Sequence, residues 1–265
     1  MRGLGVILAC LLLAGCGADA ALDGLADGGV ARVAAVETGG RLRLEDGREA
    51  ALAGVAVPTA GEPYAAEARA ALGELASGRE LRLSRGGAAD GPVHARDARS
   101  RAWLQQRLLE AGAARVRTDY ADRALAGEML RAEARARQAG RGLWALAAYQ
   151  VRLPGEVIAR REAGFLMVEG RVARAAETAG RLYLEFSREW RGGFSTETPL
   201  SALPRFEGAG LDLRSLEGQI VRVRGEVRPT AYGPRLRLDH PEQVERLRQP
   251  APEKPKRPAV RPGAR

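Results

Sequence analysis

The hydrophobic pattern of this 265-residue chain changes at Pro154, and that change limits the folds open to it. Before Pro154, alternating segments typical of strands are mixed with amphipathic segments of helical period. After Pro154 the pattern becomes all-strand. A chain of this length holds one large or two modest domains. We therefore predict a mainly β chain with helices (α+β), with a first domain over residues 30–149 and a second over residues 155–247.

The predicted elements follow the hydrophobic periods and the Gly and Pro residues that bound them. The first-domain strands are Val30–Val36, Arg41–Leu44, Glu49–Val57, Glu80–Ser84 and Val93–Asp97. The first-domain helices run from Pro63 to Gly78, over Trp103–Ala111 and over Ala121–Ala139. The second-domain strands are Glu156–Arg161, Phe165–Ala173, Arg181–Ser187, Phe194–Glu197, Gln219–Arg228 and Arg235–Asp239, with a helical turn at Leu211–Leu216.

A loose internal repeat links the two domains. The segments Val30–Asp46 and Val172–Ser187 both contain a strand, a Gly turn and an alternating Arg-Leu-x-Leu run. An alternating hairpin in a chain rich in Ala and Arg produces a similar pattern by chance. The repeat nevertheless favours two small barrels of one class.

The first residues have the pattern of an export signal. Arg2 precedes an apolar run over residues 4–14, which is too short to span a bilayer. Leu13-Ala14-Gly15-Cys16 resembles the lipobox of bacterial lipoproteins, which implies removal of residues 1–15 and lipid attachment to Cys16. Residues 16–29 are then expected to be a tether. The resemblance implies an exported protein anchored in a membrane of the bacterial envelope; the alternative is a secretory peptide cleaved elsewhere.

The positive charge of the chain is concentrated at its C-terminal end. The formal net charge is +9, and residues 248–265 hold six Arg or Lys residues and one acid. The tail therefore supplies five of the nine positive charges, and its five prolines predict an extended, disordered segment. A basic balance favours polyanionic partners, namely nucleic acid, anionic lipid or cell-wall polymers.

Three motifs of the first domain indicate a family resemblance. They are GVAVP (Gly54–Pro58), PYAAEARAAL (Pro63–Leu72), and the two segments Trp103–Val116 and Glu128–Trp144, the last ending in RGLW. Together these motifs resemble the thermonuclease (micrococcal-nuclease-like) family. The resemblance implies a five-stranded OB barrel with helices over residues 30–149. The second domain is similar to OB-type barrels in a generic way only.

The resemblance also implies where the catalytic groups of a calcium-dependent phosphodiesterase should lie. Such a site needs carboxylates for the cation, a carboxylate base, and arginines for the phosphate. The corresponding positions here hold other residues: Gly40, Ala51, Ala56, Thr59 and Pro92. A gap in the loop before Trp103 would bring Arg85, Arg96 or Arg99 to the last position. We therefore expect a thermonuclease-like fold without the activity, no metal site, and no cofactor unless Ca²⁺-dependent activity is retained.

Few other residues are placed to take over this chemistry. Glu62 is the one substitute base, although a first-turn helix acid is the better interpretation. Glu37, Glu45 and Asp46 are better explained as solvated turn residues. The two histidines, His94 and His240, fall in different domains, which argues against a paired metal site.

Binding without catalysis remains open. OB barrels bind single strands with basic grooves and stacking aromatics. The candidate residues are Arg41, Arg43, Tyr183, Arg188, Trp190 and Arg191. Phe186 and Phe194 are equally suited to the core. Three functions stay open: a degenerate nuclease-like lipoprotein that binds a polyanion or an envelope protein, a nuclease using displaced residues, and a structural envelope lipoprotein.

Overall fold

The computed structural model describes residues 16–88, 90–117, 123–189 and 191–247. The chain mixes α-helices with several antiparallel sheets and divides into two units. The described residues up to Arg152 belong to the first unit together with Leu238–Gln243. The second unit holds Leu153–Arg237 and the described residues from Val244 onward. Within the described ranges, no helix combines the length and the apolar character needed to cross a membrane.

The first unit contains an antiparallel sheet with helices packed against it. Its strands are β1 (Ala26–Val36), β2 (Arg41–Leu44), β3 (Glu49–Ala51), β4 (Val55–Ala56), β5 (Glu80–Arg85), β6 (His94–Asp97) and β7 (Arg115–Val116). Its helices are α1 (Cys16–Asp23), α2 (Ala65–Ala76), α3 (Leu104–Ala111) and α4 (Arg123–Gln138). The main sheet has the order β3-β2-β1-β5-β6, and β4 pairs separately with β7. Alternation decides the faces, so Leu42 and Leu44 are buried while Arg41 and Arg43 are exposed.

Residues 16–29, predicted to be a tether, instead form α1 and the beginning of β1. Leu22 is only 1% exposed and belongs to the core of the unit. Beside it, the Asp23 carboxylate accepts a hydrogen bond of 2.5 Å from the Arg96 guanidinium. Asp19 lies 3.5 Å from the same guanidinium. The helix is therefore held on the unit by apolar packing and by ion pairs.

The predicted strand Glu49–Val57 is interrupted. Gly54 has a φ of +71°, and the chain turns there between β3 and β4. Because a positive φ is open mainly to Gly, the break is consistent with the residue at this position. The interruption frees Val55 and Ala56 to pair with Val116 and Arg115.

The RGLW segment is held by two glycines in contact. Gly112 ends α3 with a φ of +69°, and Gly142 has a φ of +56°. The Leu143 N–H donates to the Gly112 carbonyl oxygen at 2.9 Å. A Cβ added to either glycine would lie far inside contact distance of the backbone opposite. Close backbone approach explains why this segment needs Gly, and Leu143 and Trp144 are buried behind it.

Most regular elements of the second unit are strands, but two short α-helices interrupt the all-strand pattern that was predicted. Its strands are β8 (Gly164–Arg171), β9 (Arg174–Thr178), β10 (Arg181–Glu185), β11 (Ser195–Pro199), β12 (Ile220–Arg228), β13 (Arg235–Arg237) and β14 (Val244–Arg246). The predicted strand Glu156–Arg161 is wrong, because these residues lie in and at the end of the helix α5 (Pro154–Arg160). Pro154 occupies the first turn of α5, where a missing N–H costs nothing. A further short helix, α6 (Leu203–Glu207), was not predicted.

Both units follow the same path of strand pairing. In the first, β1 pairs with β2 and β5, β2 with β3, β5 with β6, and a parallel bridge joins Leu52 to Val93. In the second, the consecutive strands β8 and β9 together correspond to β1, since β9 pairs with β10 and β8 pairs with β12. β10 then pairs with β11, β11 runs parallel to β13, and β13 pairs with β12. The hairpins predicted from the internal repeat are confirmed in both units. The shared path is consistent with an OB-like, barrel-type arrangement.

Candidate functional site

The turn that precedes β2 packs against the Pro58 turn. The Gly39 N–H donates to the Pro58 carbonyl oxygen at 3.3 Å. A Cβ on Gly40 would lie 2.8 Å from Cγ2 of Val57. Gly40 and Val57 are both buried, so the position where the resemblance implies a first metal carboxylate is filled by an aliphatic side chain. This turn has no room for a longer side chain without displacement of Val57.

Ala51 and Pro92 lie close together at the end of β3. The Val93 N–H donates to the Ala51 carbonyl oxygen at 2.8 Å, and the Ala53 N–H donates to the Val93 carbonyl oxygen at 2.8 Å. Gln105, which is fully buried, also donates to the Val93 carbonyl oxygen at 2.8 Å and stabilises the contact between these two segments. Neither Ala51 nor Pro92 has a side chain that could bind phosphate.

Arg115 lies directly opposite Ala56 in the β4–β7 pair. Residues opposite each other in an antiparallel pair project to the same face. The Arg115 guanidinium is stacked over the Tyr149 ring, with its carbon 4.8 Å from the ring centroid. The Tyr149 hydroxyl donates to the Pro63 carbonyl oxygen at 2.5 Å. Burial raises the pKa of Tyr149, against the lowering effect of Arg115. A fixed positive charge therefore stands beside the position of the implied second metal carboxylate.

The Glu62 carboxylate is hydrogen-bonded within the Pro58 turn and is therefore poorly suited to act as a general base. One of its carboxylate oxygens accepts hydrogen bonds of 2.6 Å from both the N–H and the hydroxyl of Thr59. The other oxygen is 3.9 Å from the Arg115 guanidinium. Partial burial raises the pKa of Glu62, but the Thr59 bonds and the charge of Arg115 outweigh it and lower that pKa below its ordinary value. A carboxylate so stabilised is a weak proton acceptor.

The interpretation of Glu62 as a first-turn helix acid needs correction. α2 begins at Ala65, so Glu62 lies in the turn before the helix. Its carboxylate is bonded to Thr59 rather than to an N–H of the first helical turn. Thr59, at the position of the implied base, donates its hydroxyl hydrogen to this carboxylate.

Glu133 on α4 supports the strand that carries Arg115. It is fully buried, and its carboxylate accepts a hydrogen bond of 2.8 Å from the Val116 N–H. Its second oxygen accepts a hydrogen bond of 3.2 Å from the Arg137 guanidinium, which lies over the Trp144 ring. No local sequence signal marks Glu133 or Arg115, since the β4–β7 pair and its support join segments that are distant in the chain.

The side chains around this frame do not fit a calcium ion. Calcium needs several oxygen ligands, usually including carboxylates, whereas Gly40 and Ala56 offer none and Arg115 repels a cation. In the described ranges, no group of three or more His, Cys, Asp or Glu side chains is arranged to hold a metal. Asp46 is paired with Arg48 at 2.6 Å, and Glu45 lies 3.9 Å from Arg32.

The three alternative arginines near Trp103 lie in different surroundings. Arg96 is 4% exposed and pairs with Asp19 and Asp23 on α1. Arg85 ends β5 opposite Ala26, and Arg99 is exposed in the turn after β6. His94 is buried against the Trp103 ring, with the ring centroids 5.7 Å apart. The partners of Arg96 and His94 show that both have a place in the packing of the unit.

The predicted binding residues fall at three places. Arg41 and Arg43 are exposed on β2, where Arg41 pairs with Glu49 at 3.3 Å. Tyr183 lies within β10. Arg188 and Arg191 are exposed in the loop between β10 and β11. Trp190 lies outside the described residues, as do the predicted signal segment 1–15 and the tail 248–265. Phe194 is buried against Phe186 and belongs to the core.

Comparisons with known proteins do not assign this chain to a family. No protein-family model matches the chain, and no curated protein matches it. Solved structures do match, among them the extended Tudor domain of Tudor-SN (p100) from Drosophila melanogaster. The two are 25% identical over 36% of this chain and 46% of that chain, with a TM-score of 0.32. The match thus spans less than half of the Tudor-SN chain, and its TM-score is too low to indicate a function.

Proposed function

We propose that this chain is an envelope-anchored lipoprotein whose first unit is thermonuclease-like but catalytically degenerate, and that it binds a polyanion such as nucleic acid or a partner protein. The main support for the loss of catalysis is the set of side chains found at and beside the Pro58 turn. Arg115 stands opposite Ala56, and Glu62 is bonded to Thr59. Catalytic groups act as a unit, and loss of one member removes most of the activity.

The competing function is a nuclease that uses displaced residues, with Glu62 as its base. Its carboxylate has both oxygens engaged, one by Thr59 and one by Arg115, and its pKa is lowered. A general base works best with a pKa near the operating pH. The geometry therefore favours the non-catalytic function.

Hydrolysis of single-stranded DNA separates these two functions. With Ca²⁺ present, we expect the pure protein to cleave at least about 10⁴-fold more slowly than an active thermonuclease assayed in parallel, because the metal carboxylates and the base are absent. Residual cleavage should be the same with a chelator and in Glu62→Gln. Chelator-sensitive cleavage that disappears in Glu62→Gln would contradict the proposal.

Membrane attachment is tested separately at Cys16. In a bacterial host, radiolabelled palmitate should enter the wild-type protein and be absent from Cys16→Ser, because the sulfur of Cys16 would carry the lipid. The matched control is Cys10→Ser, which leaves Cys16 in place and should be labelled like the wild type. Equal labelling of Cys16→Ser and the wild type would exclude lipidation at this residue.

A further inference from the structure

The second unit exposes a row of arginines on one face of its sheet. Alternate residues of β10, β11 and β13 point inward, and Leu182, Thr196 and Leu236 are buried there. The residues between them project to the opposite face, here called the outer face. Its basic residues are Arg174, Arg181, Arg228, Arg235 and Arg237.

The outer face is more basic than a balanced surface. Its carboxylates are Glu185 and Glu197 on β10 and β11, and Glu226, two residues before Arg228 on the same face of β12. This part of the outer face therefore carries five arginines and three glutamates. Apart from the half-buried Arg181 and Arg235, these arginines are exposed. An anionic partner fits this charge, whereas a cationic one does not.

An aromatic platform lies in the middle of this row. The Arg235 guanidinium carbon is 4.9 Å from the centroid of the Tyr183 ring. Glu197, opposite Tyr183 in the β10–β11 pair, lies 3.6 Å from Arg235 and 3.5 Å from Arg181. These separations are longer than a charge-assisted hydrogen bond of about 2.7–2.9 Å. Glu197 therefore attracts both guanidinium groups but is not within such a bond of either. The Arg235 Nε–H donates to the Ser195 hydroxyl at 3.4 Å, and the outer N–H groups of both arginines remain directed to a phosphate.

We infer that the outer face binds single-stranded nucleic acid, with phosphates along the arginines and a base stacked on the Tyr183–Arg235 pair. This inference rests on the polyanion binding proposed above. Unpaired bases stack on aromatic rings and on guanidinium planes, and sequence-independent binders combine such platforms with basic grooves. A duplex hides the faces of its bases, and an anionic lipid surface has none, so neither uses the central platform.

The test measures binding of a fluorescein-labelled single strand to the full chain across a salt series. Arg235→Gln and Arg181→Gln should each weaken binding about 3- to 10-fold and make the salt dependence shallower, because each removes a phosphate contact. Glu197→Gln should tighten binding about 3- to 10-fold, because it removes a repelling charge. Opposite changes on one face cannot both come from misfolding. Tyr183→Ala should weaken binding about 10-fold through lost stacking.

Arg161→Gln is the matched control, because Arg161 is exposed at the end of α5 and not on the sheet. Equal weakening by Arg161→Gln and Arg235→Gln would overturn the assignment of the outer face. So would unchanged binding in all outer-face variants, or equal binding of a duplex or of anionic vesicles that is equally sensitive to Arg235→Gln. In these cases polyanion binding itself would stand. No binding of any polyanion by the wild type at low salt would instead contradict the proposed polyanion function.

Discussion

Gly142→Ala should destabilise the first unit by about 2–5 kcal/mol. The new Cβ would lie 2.8 Å from the Ala111 carbonyl oxygen and closer still to that of Gly112. It would also sit at a positive φ, which costs a non-Gly residue about 1–2 kcal/mol. Overpacking against backbone adds about 1–3 kcal/mol, because backbone atoms cannot rotate away.

The measurement is chemical denaturation followed by tryptophan emission, since Trp103 and Trp144 are both buried in the first unit. Gly140→Ala is the matched control. Gly140 also has a positive φ, of +59°, but its Cβ would meet nothing within 4 Å. It should cost only about 1–2 kcal/mol, the strain of the positive φ alone. Equal losses in the two variants would show that strain at positive φ, and not the contact between Gly112 and Gly142, makes Gly necessary in RGLW.

Glu133→Leu should cost about 3–5 kcal/mol, the usual result of removing one partner of a buried ion pair. The variant leaves the Val116 N–H without its 2.8 Å acceptor and removes the carboxylate that binds Arg137. The same denaturation experiment measures the loss. Because β7 carries Arg115, this change should also disturb the contact between Arg115 and Glu62.

Glu128→Leu on the same helix is the control for Glu133. Glu128 pairs at 2.6 Å with Arg131; the Glu128 side chain is 15% exposed and that of Arg131 is 62% exposed, so the pair reaches solvent through Arg131. A pair of this kind contributes no more than about 1 kcal/mol. If both variants lose the same stability, the buried Glu133 has no special part in holding β7.

The location of the candidate site could be predicted from the sequence, but the contacts made there by residues from distant segments could not. Local signals placed the strand, the Pro58 turn and the helix after it, because periodicity and turn residues act over a few positions. The same signals failed at Glu156–Arg161, where Pro154 and Glu156 begin a helix although the β-branched Val157 and Ile158 favour a strand. They also failed at residues 16–29, whose small side chains resemble a linker although Leu22 is buried.

The sequence by itself determined that Gly40, Ala51, Ala56 and Thr59 lack the groups of a calcium phosphodiesterase, since side-chain chemistry needs no structure to be read. Only the tertiary structure decided what stands there instead. Arg115 reaches Ala56 through strand pairing, and Tyr149 reaches Pro63 across 86 positions of the chain. Folding also brought Tyr183, Glu197 and Arg235 together on the outer face. Contacts between such distant segments depend on how the strands pair, and no local pattern records that pairing.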